Sequence, residues 1–140
     1  MMLWRFTENI LSGRPIPIFN NGEMWRDFTD IDDIVTGVLA CLSHPPADDG
    51  TAKPGGSVSP HALYNIGNNR PERLLDVVDL IEQACGRPAV REFLPMQPGD
   101  VLRTYADIDA MTRDFGYRPG TTVAEGIPRF VQWYREYHRL

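Results

Sequence analysis

Apolar residues recur at helical spacing in five stretches of the chain. These stretches lie at residues 2–12, 30–43, 71–85, 108–115 and 122–137. Glycines follow three of them, at Gly13, Gly86 and Gly116, and glycine is the usual residue just beyond a helix end. Thr29 is the predicted N-cap of the second helix, and Pro71 is predicted to occupy the first turn of the third.

Four shorter segments between the predicted helices have strand character, at residues 16–19, 24–28, 62–67 and 90–94. The turn signal Asn20-Asn21-Gly22 predicts a hairpin between the first two. Strands that alternate with helices indicate an α/β protein. Only residues 62–67 resemble a central strand of a parallel sheet, so we expect the main sheet to lie elsewhere. The apolar faces of the helices at 30–43 and 72–85 are then expected to be exposed.

Composition narrows the class of protein. A chain of 140 residues is long enough for one domain, and it has no apolar run of about 18 residues that could span a membrane. Its first residues lack the pattern of a secretory signal, so none is expected. The net charge of −5 argues against a broad nucleic-acid-binding face. Cys41 and Cys85 lie within apolar helical patterns and are predicted to be buried thiols, which indicates a cytoplasmic protein.

Residues 45–60 are rich in proline and glycine and poor in apolar side chains. This composition predicts a flexible loop. Loops of this length are uncommon in compact domains unless they have a function. Two interpretations of this loop remain open: a tolerated surface insertion, or a segment that covers another part of the protein.

The common catalytic signatures are missing from the sequence. It contains no G-x-G-x-x-G, no P-loop and no G-x-S-x-G motif. The histidines, His44, His61 and His138, are far apart and have no partner at metal-ligand spacing. The residues therefore indicate a binding function, with no catalytic, cofactor-binding or metal-ligating set.

Several motifs together resemble one family. The run IPIFNNGEMWRDFT at residues 16–29, followed by IDDI at 31–34, is similar to the C-terminal portion of extended short-chain dehydrogenases/reductases. The resemblance is greatest to NAD-dependent nucleotide-sugar 4-epimerases of the UDP-glucuronate type. The segments YNIGN at 64–68, QPGDV at 97–101 and FGYRP at 115–119 match the same group. The resemblance covers nearly the whole chain apart from residues 45–60.

The resemblance implies a two-part enzyme. In this family an N-terminal Rossmann portion holds NAD and a Tyr-x-x-x-Lys pair, and this sequence has no such pair. Residues 1–140 are therefore expected to be a C-terminal substrate-binding portion that lacks the NAD-binding portion, with Met1 inside the parental chain. The parent is expected to use NAD and to be a homodimer. The chain alone is expected to bind no NAD and to be inactive.

The resemblance also implies roles for four residues in binding a UDP-sugar. Arg26 matches the arginine that contacts the diphosphate, and Phe19 the residue that packs on uracil. Asp100 matches a carboxylate that binds the ribose, and Gln97 stands beside it where related epimerases have arginine. The alternatives are a surface ion pair between Arg26 and Asp27, and a core role for Phe19. Asp30 replaces the usual family tyrosine and is expected to place a negative charge near Arg26.

The function implied for the parent is C4 epimerisation of a UDP-hexuronic acid or UDP-hexose through a 4-keto intermediate. Two alternatives remain open. The chain could come from a related nucleotide-sugar dehydratase or decarboxylase, or it could be a non-catalytic binding module. In each case the expected partner is a UDP-sugar and not a nucleic acid or a membrane.

Overall fold

Five α-helices and four short strands form the residues that the computed structural model describes, 2–140. The helices are α1 (Met2–Ser12), α2 (Ile31–Leu42), α3 (Leu74–Cys85), α4 (Asp109–Phe115) and α5 (Val123–His138). The strands are β1 (Pro15–Phe19), β2 (Trp25–Asp27), β3 (Pro71–Arg73) and β4 (Val90–Leu94). The predicted α/β class with few strands and about five helices is confirmed. The expectation that Met1 is internal to a longer chain falls outside the described residues.

The chain divides into two compact units. The first contains the residues up to Arg26 together with 71–104 and 122–140, and the second contains 27–70 and 105–121. Each unit is thus assembled from segments that are distant in sequence.

The first unit has a continuous apolar core. In it α3 packs against α1 and α5, and β1 pairs with β4 in parallel, from Pro15 opposite Val90 to Phe19 opposite Leu94. The core consists of side chains that are at most 6% exposed: Phe6, Ile10, Ile16, Ile18, Met24, Leu74, Val77, Val78, Ile81, Cys85, Ile127, Val131 and Tyr134. The predicted exposure of the α3 face is wrong, because α1 and α5 cover it.

The predicted hairpin is also wrong. Asn20 and Asn21 adopt left-handed conformations in a short 3₁₀ turn, after which β2 pairs with β3 instead of β1. This pairing also corrects the role of Pro71, which begins β3. The third helix starts only at Leu74, whose N–H donates to the Met24 carbonyl at 2.9 Å.

A small core holds the second unit together. Ile108, Met111 and Tyr117 are buried there, and the Tyr117 hydroxyl donates to the Gly67 carbonyl at 3.1 Å. The predicted N-cap at Thr29 is wrong by one residue. Asp30 is the N-cap, because its carboxylate accepts from the Asp32 N–H at 3.0 Å.

Residues 62–67 form no strand, contrary to prediction. The described residues offer this segment no strand partner, so its side chains pack locally. Tyr64 and Ile66 contact the core of the second unit, and the Asn65 side chain donates to the Asp107 carbonyl at 3.2 Å. An apolar, strand-like composition was therefore not sufficient to form a β ladder.

The face of α2 is exposed, as predicted. The exposed fraction is 46% at Val35 and Val38, 56% at Leu39 and 74% at Leu42. Residues 45–60 form neither helix nor strand, and the flexibility of this segment stays a prediction.

Two further expectations concern membranes and thiols. Within residues 2–140, no helix has both the length and the apolar character needed to cross a bilayer. Cys41 and Cys85 are free thiols. Cys85 is buried, which raises its pKa, and Cys41 is only half-buried.

Candidate functional site

A cavity of about 290 Å³ opens in the first unit. It has an apolar lining with a few charged groups, and its residues are Met2, Arg5, Phe6, Pro17, Phe19, Met24, Arg26, Leu74 and Asp100. Small-molecule sites commonly combine such a lining with a few polar groups that orient the ligand.

Strand periodicity places Phe19 in this cavity. Along β1, Ile16 and Ile18 are fully buried in the core, while Pro17 and Phe19 lie on the opposite face and line the cavity. Successive side chains of a strand point to opposite sides, so residues 16–19 of β1 alternate between the core and the cavity. Phe19 is therefore a cavity residue, and the alternative of a core role is not what the structure shows.

Arg26 is held by three acceptors. Its Nη2 donates to Asp100 Oδ1 at 2.8 Å, and its Nη1 donates to the carbonyl oxygens of Trp25 at 2.9 Å and Leu102 at 3.3 Å. The Arg26 side chain is 22% exposed and that of Asp100 is 32% exposed. A pair that is this open to solvent contributes at most about 1 kcal/mol to stability. Its main effect is to fix the direction of the guanidinium.

The predicted alternative partner of Arg26 has other contacts. The Asp27 carboxylate accepts from the backbone N–H groups of Asn69 at 3.0 Å, Arg70 at 3.4 Å and Ala106 at 3.0 Å. A surface ion pair between Arg26 and Asp27 is therefore not formed.

A tight turn positions Asp100. The Asp100 N–H donates to the Gln97 carbonyl at 3.2 Å, and Gly99 between them has a positive φ of 82°. The Asp100 carboxylate also accepts from the Val101 N–H at 2.9 Å. Gln97 itself is exposed and does not line the cavity, so the structure brings together only Phe19, Arg26 and Asp100 of the four predicted residues.

Sequence reasoning missed the contribution of α1 to the cavity. Met2, Arg5 and Phe6 line it from one face of this helix. Their spacing of three and four residues was a usable signal, since an arginine that interrupts an apolar helical stripe lies beside a buried surface.

Asp30 has a local role as the N-cap of α2, which a tyrosine could not fill. The expectation that its charge affects ligand binding stays a prediction.

Tyr64, Tyr117 and Tyr134 do not provide a tyrosinate that could act as a base. Burial raises the pKa of Tyr117, and burial together with a hydrogen bond to Asp114 raises the pKa of Tyr64. Burial also raises the pKa of Tyr134. Because these pKa values are raised, the three hydroxyls are neutral near pH 7, and none of the three serves as a tyrosinate. Those of Tyr64 and Tyr117 donate to Asp114 and to the Gly67 carbonyl.

The described residues do not fit NAD or a metal ion. No strand among residues 2–140 leads through a glycine-rich turn into a helix, which is the arrangement that binds a dinucleotide pyrophosphate. Within the same residues no three His, Cys, Asp or Glu side chains are grouped as metal ligands would be.

Comparisons with known proteins give a consistent result. Residues 1–67 match the NAD dependent epimerase/dehydratase family. Protein CapI of Staphylococcus aureus is 40% identical, and the match covers 99% of this chain and 43% of CapI. The probable UDP-glucuronate 4-epimerase of Rhizobium meliloti is 39% identical, over 99% of this chain and 42% of that protein.

A solved structure has the same fold. It is the UDP-glucuronic acid 4-epimerase from Bacillus cereus in complex with UDP-glucuronic acid and NAD, with a TM-score of 0.81 and 26% identity. The match covers 98% of this chain and 40% of that one. The chain thus spans about two fifths of the length of the curated relatives it matches.

These matches confirm the predicted resemblance. The chain is similar in sequence to proteins of the NAD dependent epimerase/dehydratase family and shares its fold with a solved UDP-glucuronic acid 4-epimerase. Among its relatives are UDP-glucuronate 4-epimerases.

Proposed function

We propose that this chain is the UDP-sugar-binding portion of an NAD-dependent nucleotide-sugar 4-epimerase. The proposed reaction of the parent enzyme is C4 epimerisation of a UDP-hexuronic acid or UDP-hexose through a 4-keto intermediate. The observation that carries the proposal is the cavity of the first unit, in which Phe19, Arg26 and Asp100 meet. Relatives named as UDP-glucuronate 4-epimerases support it.

Each cavity residue suits one part of such a ligand. An aromatic ring beside methionine and leucine side chains offers a flat apolar surface to a pyrimidine. A guanidinium offers paired donors to phosphate oxygens and keeps its charge at any relevant pH. In the proposal Phe19 packs on uracil, Arg26 binds the diphosphate and Asp100 accepts from the ribose. Gln97 is proposed to reach the ligand from the exposed turn next to Asp100.

The hydride chemistry belongs to NAD, and residues 2–140 have no glycine-rich turn between a strand and a helix that would hold its pyrophosphate. We therefore propose that another portion of the parent binds NAD and supplies the Tyr-x-x-x-Lys pair. The chain by itself is proposed to be inactive. The parent is proposed to be a cytoplasmic homodimer that does not bind nucleic acid.

The second candidate function is a non-catalytic nucleotide-sugar-binding module. It is favoured by the lack of a Tyr-x-x-x-Lys pair in the sequence. A related dehydratase or decarboxylase would share the same binding portion. Sequencing the DNA upstream of Met1 separates the enzyme from the module. A continuous reading frame that encodes a glycine-rich turn and Tyr-x-x-x-Lys favours the enzyme, and a promoter and start codon there favour the module.

The experiment that tests the proposal is Arg26→Ala in a full-length enzyme, made by joining this chain to the NAD-binding portion of a 4-epimerase. The diphosphate lies away from the reacting carbon, so KM should rise more than kcat falls. Loss of a charge-assisted contact costs about 1.5–3 kcal/mol, or roughly a 10- to 150-fold loss in kcat/KM.

Arg26→Lys should recover only part of the activity, because an ammonium group cannot bind two phosphate oxygens as a fork. The matched control is Arg73→Ala, since Arg73 lies outside the cavity and pairs with Glu23 at 3.1 Å. A kcat/KM for Arg26→Ala within twofold of the Arg73→Ala value would refute the phosphate role of Arg26.

A further inference from the structure

Arg5 lines the cavity from α1 and has no established role. It lies three residues after Met2 and directly before Phe6, and all three residues line the cavity. Phe6 is only 5% exposed, so this face of α1 is fixed in the core. The Arg5 side chain is exposed and therefore belongs to the open side of the cavity.

Arg5 and Arg26 differ in what their guanidinium groups contact. Arg26 donates to Asp100 and to two backbone carbonyls. Among residues 2–140, the Arg5 side chain forms no hydrogen bond and no ion pair. Its guanidinium donors thus have no partner in the described residues, whereas two of the three guanidinium nitrogens of Arg26 are already engaged.

The charge of the cavity depends on Arg5. The ionised groups in the lining are Arg5, Arg26 and Asp100, and the last two neutralise each other at 2.8 Å. Arg5 therefore carries the net positive charge of the cavity. A diphosphate has about two negative charges, and it is attracted to a site with uncompensated positive charge.

We propose that Arg5 is a second ligand for the nucleoside-diphosphate group in this cavity. Arg26, held by Asp100, presents donors in a fixed direction, and Arg5 supplies the charge that the Arg26–Asp100 pair lacks. This inference rests on the proposed function, because it assumes that the cavity takes a nucleoside diphosphate.

The test measures the affinity of the whole 140-residue chain for UDP, and for uridine as a ligand without phosphate. At low salt, about 10 mM, Arg5→Ala should weaken UDP binding about fivefold, as for a partly exposed charge-assisted contact. Uridine affinity should not change. Arg5→Lys should retain most of the UDP affinity, because an exposed and flexible side chain acts through its positive charge and not through the paired donors of a guanidinium. The fivefold loss should shrink in about 0.5 M salt, where exposed charges are screened.

Arg118→Ala is the matched control, because Arg118 is also exposed and lies outside the cavity. The melting temperature of Arg5→Ala should equal that of the unmodified chain, since the substitution removes no side-chain hydrogen bond or ion pair within residues 2–140. UDP affinities of Arg5→Ala and Arg118→Ala that agree within twofold would overturn the role of Arg5. An unmodified chain that binds neither UDP nor uridine would contradict the proposed function itself.

Discussion

The two units differ in whether the apolar face of a helix is buried. In the first unit α3 buries its apolar face against α1 and α5, and Val77, Val78 and Ile81 are inaccessible to solvent. In the second unit α2 has an equally regular apolar face, yet Leu39 and Leu42 are more than half exposed. Within the second unit, the helix that packs on α2 is the short α4.

This difference shows that periodicity predicts a helix and its apolar face, while burial depends on neighbours. In the first unit, α1 and α5 come from distant parts of the sequence and cover α3. The core that they form with α3 supports the cavity. The second unit covers only part of α2, at Gly37, where an added Cβ would lie 3.1 Å from Ile66.

The largest expected effect is in the first core. Ile81→Ala should lower the free energy of unfolding by about 3 kcal/mol, because a fully buried side chain is lost and a cavity remains. Leu42→Ala in α2 is the comparison, and an exposed residue should change stability by less than about 0.5 kcal/mol. Urea unfolding measures both. Equal losses would show that α2 is buried in solution.

Asp27→Ala should have the next largest effect. It leaves the N–H groups of Asn69, Arg70 and Ala106 without their carboxylate acceptor, which should cost about 2 kcal/mol of unfolding free energy. Asp48→Ala removes an exposed carboxylate from the loop and serves as the control. If the two variants had the same melting temperature, water would be replacing the hydrogen bonds to the Asp27 carboxylate without loss of stability, and the prediction would be wrong.

A smaller effect is expected from pH at the start of α5. The backbone N–H and the hydroxyl of Thr122 donate to the Glu125 carboxylate and hold its pKa below the usual value of 4.5. A lowered folded-state pKa stabilises the protein above about pH 4.5, and this stability is lost as the pH falls through the folded-state pKa. Glu125→Gln should therefore flatten the melting temperature profile below about pH 4.5. If the slope of melting temperature against pH did not change, the hydrogen bonds between Thr122 and Glu125 would not contribute to stability.

The smallest effect on stability is expected for polar substitutions on α2. Leu39→Gln with Leu42→Gln should leave the unfolding free energy within about 0.5 kcal/mol of the unmodified value. The same change should reduce binding of the dye ANS and self-association, because exposed apolar patches cause both. Dye fluorescence and sedimentation measure this. An unmodified chain that is monomeric and binds no dye would contradict the exposure of this face.

Local signals made the helices predictable. Apolar periodicity identified all five, and glycine identified the ends of α1, α3 and α4. The pairing of β1 with β4 was not predictable, because it joins segments about 75 residues apart and no local pattern records it. The hairpin prediction failed for the same reason, since a strong turn signal at residues 20–22 fixes a turn but not the partner of the next strand.

The candidate site was predictable in part. Resemblance identified Phe19, Arg26 and Asp100, and the cavity brings them together, although their roles stay predictions. The ion pair between Arg26 and Asp100 was not predicted, because the two residues lie 74 positions apart. Arg5 was missed because a lone arginine on a helix is most often a solvated surface residue, although its place in the apolar stripe with Met2 and Phe6 was a signal that it borders a buried surface.

The central claim is that the first unit binds the nucleotide of a UDP-sugar and that the chain has no site for NAD. Nuclear magnetic resonance of the isotope-labelled chain tests it most directly, with UDP and NAD added in separate titrations. The account predicts saturable shifts with UDP at the amides of Phe19, Arg26 and Asp100, and no saturable shifts with NAD. Saturation by NAD, or UDP shifts confined to residues outside the cavity, would contradict it.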